Sequence, residues 1–189
     1  MNNELKNDLL PSARLRQTAC YSQYGQEKKI LDATCGSRMM WFDKKNPNVL
    51  YADIRQFEYE IDRGTPEKPR IQKKSVSPDV VMDFRDMPFE DNSFKLVVFD
   101  PPHLNKLGQT SYTAKNYGVL LPTWETDIKA GFDECMRVLE PGGTLIFKWN
   151  ESQISTNKVL DIIKMKPLFG HTTGRQAKTI WMTFMKGTT

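Results

Sequence analysis

The sequence predicts an α/β fold, a mostly parallel sheet covered on both faces and completed by an antiparallel hairpin at the carboxyl end. Two observations carry this. Short apolar runs rich in β-branched and aromatic residues alternate with stretches of helical periodicity, the pattern of parallel strands joined by crossovers. Four of those runs close on an aspartate, namely Asp32, Asp53, Asp83 and Asp100. Ligands bind outside the carboxyl ends of the strands in open α/β sheets, so these carboxylates would gather along the functional edge.

Taken in order, residues 1–28 read as an amino-terminal extension, polar and broken by Pro11, without the charged-then-apolar pattern of a signal peptide. Residues 29–189 read as one domain. Ile30-Leu31-Asp32 is a strand, and Ala33-Thr34-Cys35-Gly36-Ser37 a tight turn of small residues that lets backbone approach a ligand. Any strand-to-helix turn favours such residues, so the stretch alone is weak. Met39-Met40-Trp41-Phe42 would then be a packed helix face. With only Gly36 present, the three-glycine dinucleotide fingerprint is missing, which disfavours a nicotinamide enzyme. Val49 to Asp53 is a second strand, about twenty residues on, where a doubly wound fold places a ribose-binding acid; an aspartate there also caps helices.

Residues 62–79 hold three prolines and five basic residues without a clear period, and read as a solvated loop insertion that could touch phosphates. Val80-Val81-Met82 is a third strand, ending at Asp83. Residues 104–124 read as a second insertion, a lid or substrate loop. There Lys106, Tyr112, Lys115 and Tyr117 mix cations with aromatics as single-stranded nucleic-acid surfaces do, and as ordinary surface loops also do. Ile128, Phe132, Cys135, Met136 and Leu139 mark one face of an amphipathic helix over 125–139, stopped by a turn at 140–143. A fifth strand follows over 144–149, then a helix over 155–164. Segments 168–173 and 178–185 bracket the closing hairpin, in which His171 has a packing role.

The stretch Lys95-Leu96-Val97-Val98-Phe99-Asp100-Pro101-Pro102-His103 is the most informative. A buried strand ends in a carboxylate, and two prolines then stop the pairing and stiffen the turn. The product is a rigid corner presenting the Asp100 carboxylate, the Pro101 carbonyl and the flat His103 ring. Pro-Pro after a strand is also plain turn chemistry.

Composition narrows the classes. The chain of 189 residues carries a net charge of +4, which permits a polyanionic partner without demanding one. Cys20, Cys35 and Cys135 are widely spaced, so neither a metal site nor a disulfide framework is indicated. A cytoplasmic setting fits, and no run is long enough to cross a bilayer.

With these residues in view, the chain from about Lys29 onward resembles the class I S-adenosylmethionine-dependent methyltransferases. DATCGS is similar to their first motif, which implies that Asp32, Thr34, Cys35 and Gly36 surround the methionine part of the cofactor; the usual second and third glycines are replaced here. By the same resemblance Asp53 binds the ribose hydroxyls, Asp83 accepts from the adenine amino group and Phe84 flanks its ring. The family topology implies a doubly wound, Rossmann-like sheet of seven strands with the last antiparallel. Asp100-Pro101-Pro102-His103 resembles the fourth motif of the amino-directed members, an Asp or Asn, two prolines and an aromatic, although an aromatic ring is more usual than His103 in the last place. That motif implies catalytic roles for Asp100, Pro101, Pro102 and His103, with Asp100 also beside the cofactor.

The chemistry suits those residue types. An exocyclic amino group on adenine or cytosine is a poor nucleophile because its lone pair is delocalised into the ring. Hydrogen bonds from its two hydrogens to the Asp100 carboxylate and the Pro101 carbonyl let the nitrogen pyramidalise, and His103 would stack on the ring. No metal is needed. Methylation at cytosine C5 would need a thiolate, generally from a Pro-Cys pair, and none occurs. The expected activity is therefore N-methylation of a base in DNA or RNA, N6 of adenine before N4 of cytosine, with recognition by the two loops or by a partner subunit. A protein glutamine or a small amine as substrate, and a non-catalytic cofactor-binding partner subunit, remain the alternatives.

Overall fold

The computed structural model describes residues 28–106, 114, 118–172 and 177–187. Its main sheet has seven strands: β1 (Ile30–Asp32), β2 (Val49–Asp53), β5 (Val80–Val81), β6 (Phe94–Phe99), β7 (Leu139–Asn150), β8 (Phe169–Thr172) and β9 (Thr179–Met185). They lie in the order β5-β2-β1-β6-β7-β9-β8. Neighbours from β5 to β7 pair in parallel, whereas β9 is antiparallel to both β7 and β8. The expected topology is thus present. All five residues of β2 are buried, as befits an interior parallel strand covered on both sides.

Two helices lie among the described residues, α1 (Trp124–Val138) and α2 (Thr156–Ile163), close to where the periodicity places them. Ile128, Phe132 and Cys135 at helical spacing turn one face of α1 onto Leu145, Phe147 and Trp149 of β7 in the principal core. Each such large apolar side chain stabilises the fold by roughly 1.5–3 kcal/mol when fully buried. Glu125 and Asp127 in the first turn of α1 and Arg137 in its last complement the helix dipole. The α2 helix starts where the Ser155 side chain accepts from the Lys158 N–H, and ends at Lys164 in the left-handed conformation. Neither helix is long and apolar enough to cross a membrane.

Three local expectations are corrected. Residues 39–42 form turns rather than a packed helix face, with Met39 and Phe42 exposed. Trp41 alone packs inward, joining Cys35, Val49, Tyr51 and Ile30 in a small second cluster on the opposite face of the sheet. Residues 62–79 are not simply a loop: β3 (Phe57–Asp62) and β4 (Ile71–Val76) make an antiparallel two-stranded sheet. The signal was present, since Phe57, Tyr59 and Ile61 alternate with Glu58, Glu60 and Asp62, and that alternation sets the observed burial. Acidic β3 faces basic β4, with Glu60 opposite Lys73. Finally, 140–143 is not a separate turn. It is absorbed as an irregularity at the start of β7, where Phe94 pairs Leu139 and Leu96 pairs Thr144, with Gly142 at φ 77°.

Candidate active site

The strand-end residues converge on one cleft of about 460 Å³ along the carboxyl edge of the sheet. Its wall takes Ala33 to Ser37 after β1, Asp53 to Arg55 after β2, Asp83 to Arg85 after β5, Asp100 and Pro102 after β6, and Lys148 and Trp181 from β7 and β9. Local backbone explains why the acids gather. Each stands at or just beyond the last ladder pair of its strand, so its side chain is free to turn toward the edge.

Asp53 is almost fully buried and its carboxylate is saturated. Oδ1 accepts from the Arg55 backbone N–H and from Arg55 Nε, both at 2.9 Å; Oδ2 accepts from the Gly36 N–H at 2.9 Å and Arg55 Nη2 at 3.0 Å. Asp83 repeats the device. It receives the backbone N–H, Nε and Nη2 of Arg85, and Arg85 Nη1 continues to Asp127 of α1 at 2.9 Å. Burial works to raise the Asp83 carboxyl, but Arg85 prevails and holds it below the usual carboxylate range. Phe84 lines the cleft between these groups, resting edge-on against Phe99, and Gly131 of α1 leaves the room it needs.

Asp32 does not reach the cleft surface. It is fully buried behind the Ala33–Thr34 wall, accepting from Trp41 Nε1 at 2.7 Å and from the Thr34 N–H at 3.3 Å. Burial outweighs both donors, and with Asp100 and Asp53 nearby the carboxyl is lifted to about 7. Burial, with the Asp32 and Asp53 charges adding to it, pushes the Cys35 thiol far up, so it is a packed, unreactive group rather than a nucleophile.

At the centre of the edge, the Asp100 N–H donates to Thr34 Oγ1 at 2.8 Å, tying the β1 turn to the corner after β6. Asp100 Oδ2 accepts from Lys148 Nζ at 2.6 Å. Oδ1 is buried and has no hydrogen-bond partner. A buried carboxylate oxygen without a donor is costly, and its presence at a cleft marks a place for a ligand proton. Pro102 is held from outside by Gly118, whose φ is 76° and where an added Cβ would lie 2.9 Å from the proline ring.

The remaining candidates divide. His103 is half-buried with its ring 6.2 Å from that of Trp149, edge-on, and is not part of the cleft wall. Burial lowers its pKa, against the Asp100 charge and a hydrogen bond to the Pro101 carbonyl, so the ring is neutral near pH 7. Lys106 belongs to a different hollow, with Gln153 and Lys158, and its backbone N–H donates to Gln153 Oε1. Tyr112, Lys115 and Tyr117 lie outside the described residues.

Arg55, Arg85, Trp41, Lys148 and Trp181 were not among the sequence candidates. For the two arginines a signal existed: Asp-Ile-Arg and Asp-Phe-Arg each follow a strand. The other three depend on chain crossings that local sequence does not display.

No protein-family model matches the chain, and no curated protein matches it. Solved structures do share its fold. A TehB-like SAM-dependent methyltransferase from Corynebacterium glutamicum is 14% identical, with 93% of this chain and 95% of that one covered and a TM-score of 0.53. The PH0226 protein from Pyrococcus horikoshii OT3 is 15% identical over 95% of this chain and 92% of that one, at a TM-score of 0.50. The architecture is therefore the Rossmann-like fold that such a methyltransferase adopts.

Proposed function

We propose that this chain is an S-adenosylmethionine-dependent N-methyltransferase acting on the exocyclic amino group of a nucleobase in DNA or RNA, adenine N6 in preference to cytosine N4. The observation that carries the proposal is the Asp100 carboxylate, fixed through one oxygen by Lys148 while the other is buried, unpartnered and rigidly presented before Pro101-Pro102. Shared fold adds to it by analogy.

The cleft suits the cofactor. It spans the strand ends from β5 to β9, and its wall places Asp53, closed by Arg55, where ribose hydroxyls would lie, Phe84 and Asp83, the latter closed by Arg85, where adenine would lie, and small residues at 33–37 for the methionine part. When bound, the cofactor supplies a methyl group on a positively charged sulfur. The chain's part is positioning. Asp100 Oδ1 takes one amino hydrogen, and the Pro101 carbonyl, which has a second lone pair beyond its bond with His103, takes the other. Held so, the nitrogen loses conjugation with its ring and its lone pair points along the line of attack. Asp100 then stabilises the positive charge that develops on the nitrogen and is placed to receive its proton. Lys148 keeps that carboxylate from rotating.

Methyl transfer from radiolabelled S-adenosylmethionine to separate DNA, RNA and protein pools lacking prior modification, followed by nucleoside analysis, tests the proposal. Label in N6-methyladenine nucleoside that disappears with Asp100→Ala is the expected result. Label confined to protein would overturn the nucleic-acid reading in favour of a glutamine side chain.

A further inference from the structure

Strand register brings a row of side chains together beyond Asp100 that the proposed reaction has not yet used. Phe99 pairs Phe147, so Asp100 comes beside Lys148; Lys148 pairs Trp181, and Trp181 pairs His171. Directly paired residues project to the same face, which aligns Asp100, Lys148 and Trp181 across three adjacent strands at the carboxyl edge. Lys148 Nζ stands between the other two, 2.6 Å from Asp100 Oδ2 and 5.6 Å from the centre of the Trp181 ring.

Trp181 differs from the other tryptophans nearby. Trp149 and Trp124 are core residues, 0% and 8% exposed, whereas Trp181 is 41% exposed and lines the cleft with Asp100, Pro102 and Lys148. A large, partly exposed aromatic in the wall of the same cleft as a buried carboxylate oxygen without a donor, two strands away, is the makeup of a site for a flat ring that carries an N–H. The other aromatic ring in the wall, Phe84, follows β5 and is packed edge-on against Phe99 and over Gly131. His103, the ring that would ordinarily follow the prolines, is engaged with Trp149 instead.

We propose that Trp181 is the stacking platform for the target base, and that Lys148 is a positioning residue linking that platform to Asp100. This rests on the N-methylation reading and assigns its substrate end. Two strand spacings separate β6 from β9, about 10 Å, which accommodates a purine whose amino group meets Asp100 Oδ1 while its ring lies over the indole. The Lys148 ammonium, already drawn to Asp100 and to the Trp181 ring, holds both in register.

The test uses the full chain and a single-stranded oligonucleotide of about twelve nucleotides containing 2-aminopurine, whose fluorescence is quenched on stacking. Wild type and Trp181→Phe should quench the probe with affinities within about threefold of each other. Trp181→Leu should bind about tenfold more weakly or worse, the scale of one lost base–aromatic stack. S-adenosylhomocysteine affinity, measured by calorimetry, should stay within about twofold in all three proteins and shows that they are folded. With a methyl-accepting oligonucleotide, the Trp181→Leu loss should fall on KM rather than kcat. Equal probe binding by wild type and Trp181→Leu, or none by wild type, would overturn the platform. Failure of the transfer reading looks different: the probe still stacks on Trp181, but no label reaches nucleic acid.

Discussion

Asp32→Asn isolates the energetic consequence of burying an acid behind the cleft wall. The Asp32 carboxyl is lifted from 3.8 to about 7, chiefly by burial. An acid whose pKa is higher in the folded state binds more protons there than in the unfolded chain, so stability falls as pH rises between the two values. Below about pH 4 the group is neutral in both states and contributes no difference. Above about pH 7 it is ionised in both, and the folded protein carries the full cost. Three units of pKa correspond to about 4 kcal/mol. The asparagine has no charge to bury, but Asp32 takes the Thr34 N–H on Oδ1 and Trp41 Nε1 on Oδ2, so the single amide oxygen keeps one of these bonds and the amide NH2 faces the other donor. That loss, about 1–3 kcal/mol, is the same at every pH. Urea unfolding of both proteins at intervals from pH 4 to pH 8 reads this out as the difference in free energy. Asp79 and Asp83, whose carboxyls are held low, titrate alike in both proteins and cancel. The variant should gain on wild type by about 4 kcal/mol across that range and then level off. A difference independent of pH, or one that moves in favour of wild type as pH rises, would refute the argument that Asp32 is buried against its own charge.

Two further outcomes follow from the geometry around the cleft. Under the transfer reading, Arg55→Met releases the saturated Asp53 carboxylate for ribose hydroxyls, and because that ion pair is part-exposed the gain is about 1 kcal/mol; calorimetry with S-adenosylhomocysteine should show about fivefold tighter binding, whereas weaker binding would mean that the guanidinium itself holds the ligand. Gly118→Ala combines a left-handed backbone with a Cβ 2.9 Å from Pro102, so it should displace the Asp100 corner and cost about tenfold or more in kcat with cofactor affinity retained, and an unchanged turnover would show that the corner does not need that support.

Much of the fold is legible along the chain because its determinants are local. Strands such as 94–99 announce themselves by apolar runs, α1 by its spacing of Ile128, Phe132 and Cys135, and the functional edge by aspartates that each close a strand. The paired prolines after Asp100 stiffen the corner locally, while Thr34 and Gly118 hold it from elsewhere in the chain. Residues 39–42 misled for a related reason: a compact apolar tetrad has no period long enough to distinguish a helix from turns, and only Trp41 found a partner, in Asp32 and Tyr51. The alternation in 57–62 was readable, but its strand partner begins nine residues after it ends, across a segment of glycine, prolines and charge.

What the sequence alone determined is the set of acids and the edge on which they stand. Tertiary structure decided what each acid meets. Asp32 turns inward to an indole, Asp53 and Asp83 are closed by arginines two residues on, and Asp100 is held by Lys148, 48 residues away. Local periodicity says which residues point to one face of a strand, but not which residue of the neighbouring strand lies opposite. Only the parallel register of β6 on β7, and the antiparallel register of β9 on β7, brings Asp100, Lys148 and Trp181 into one row.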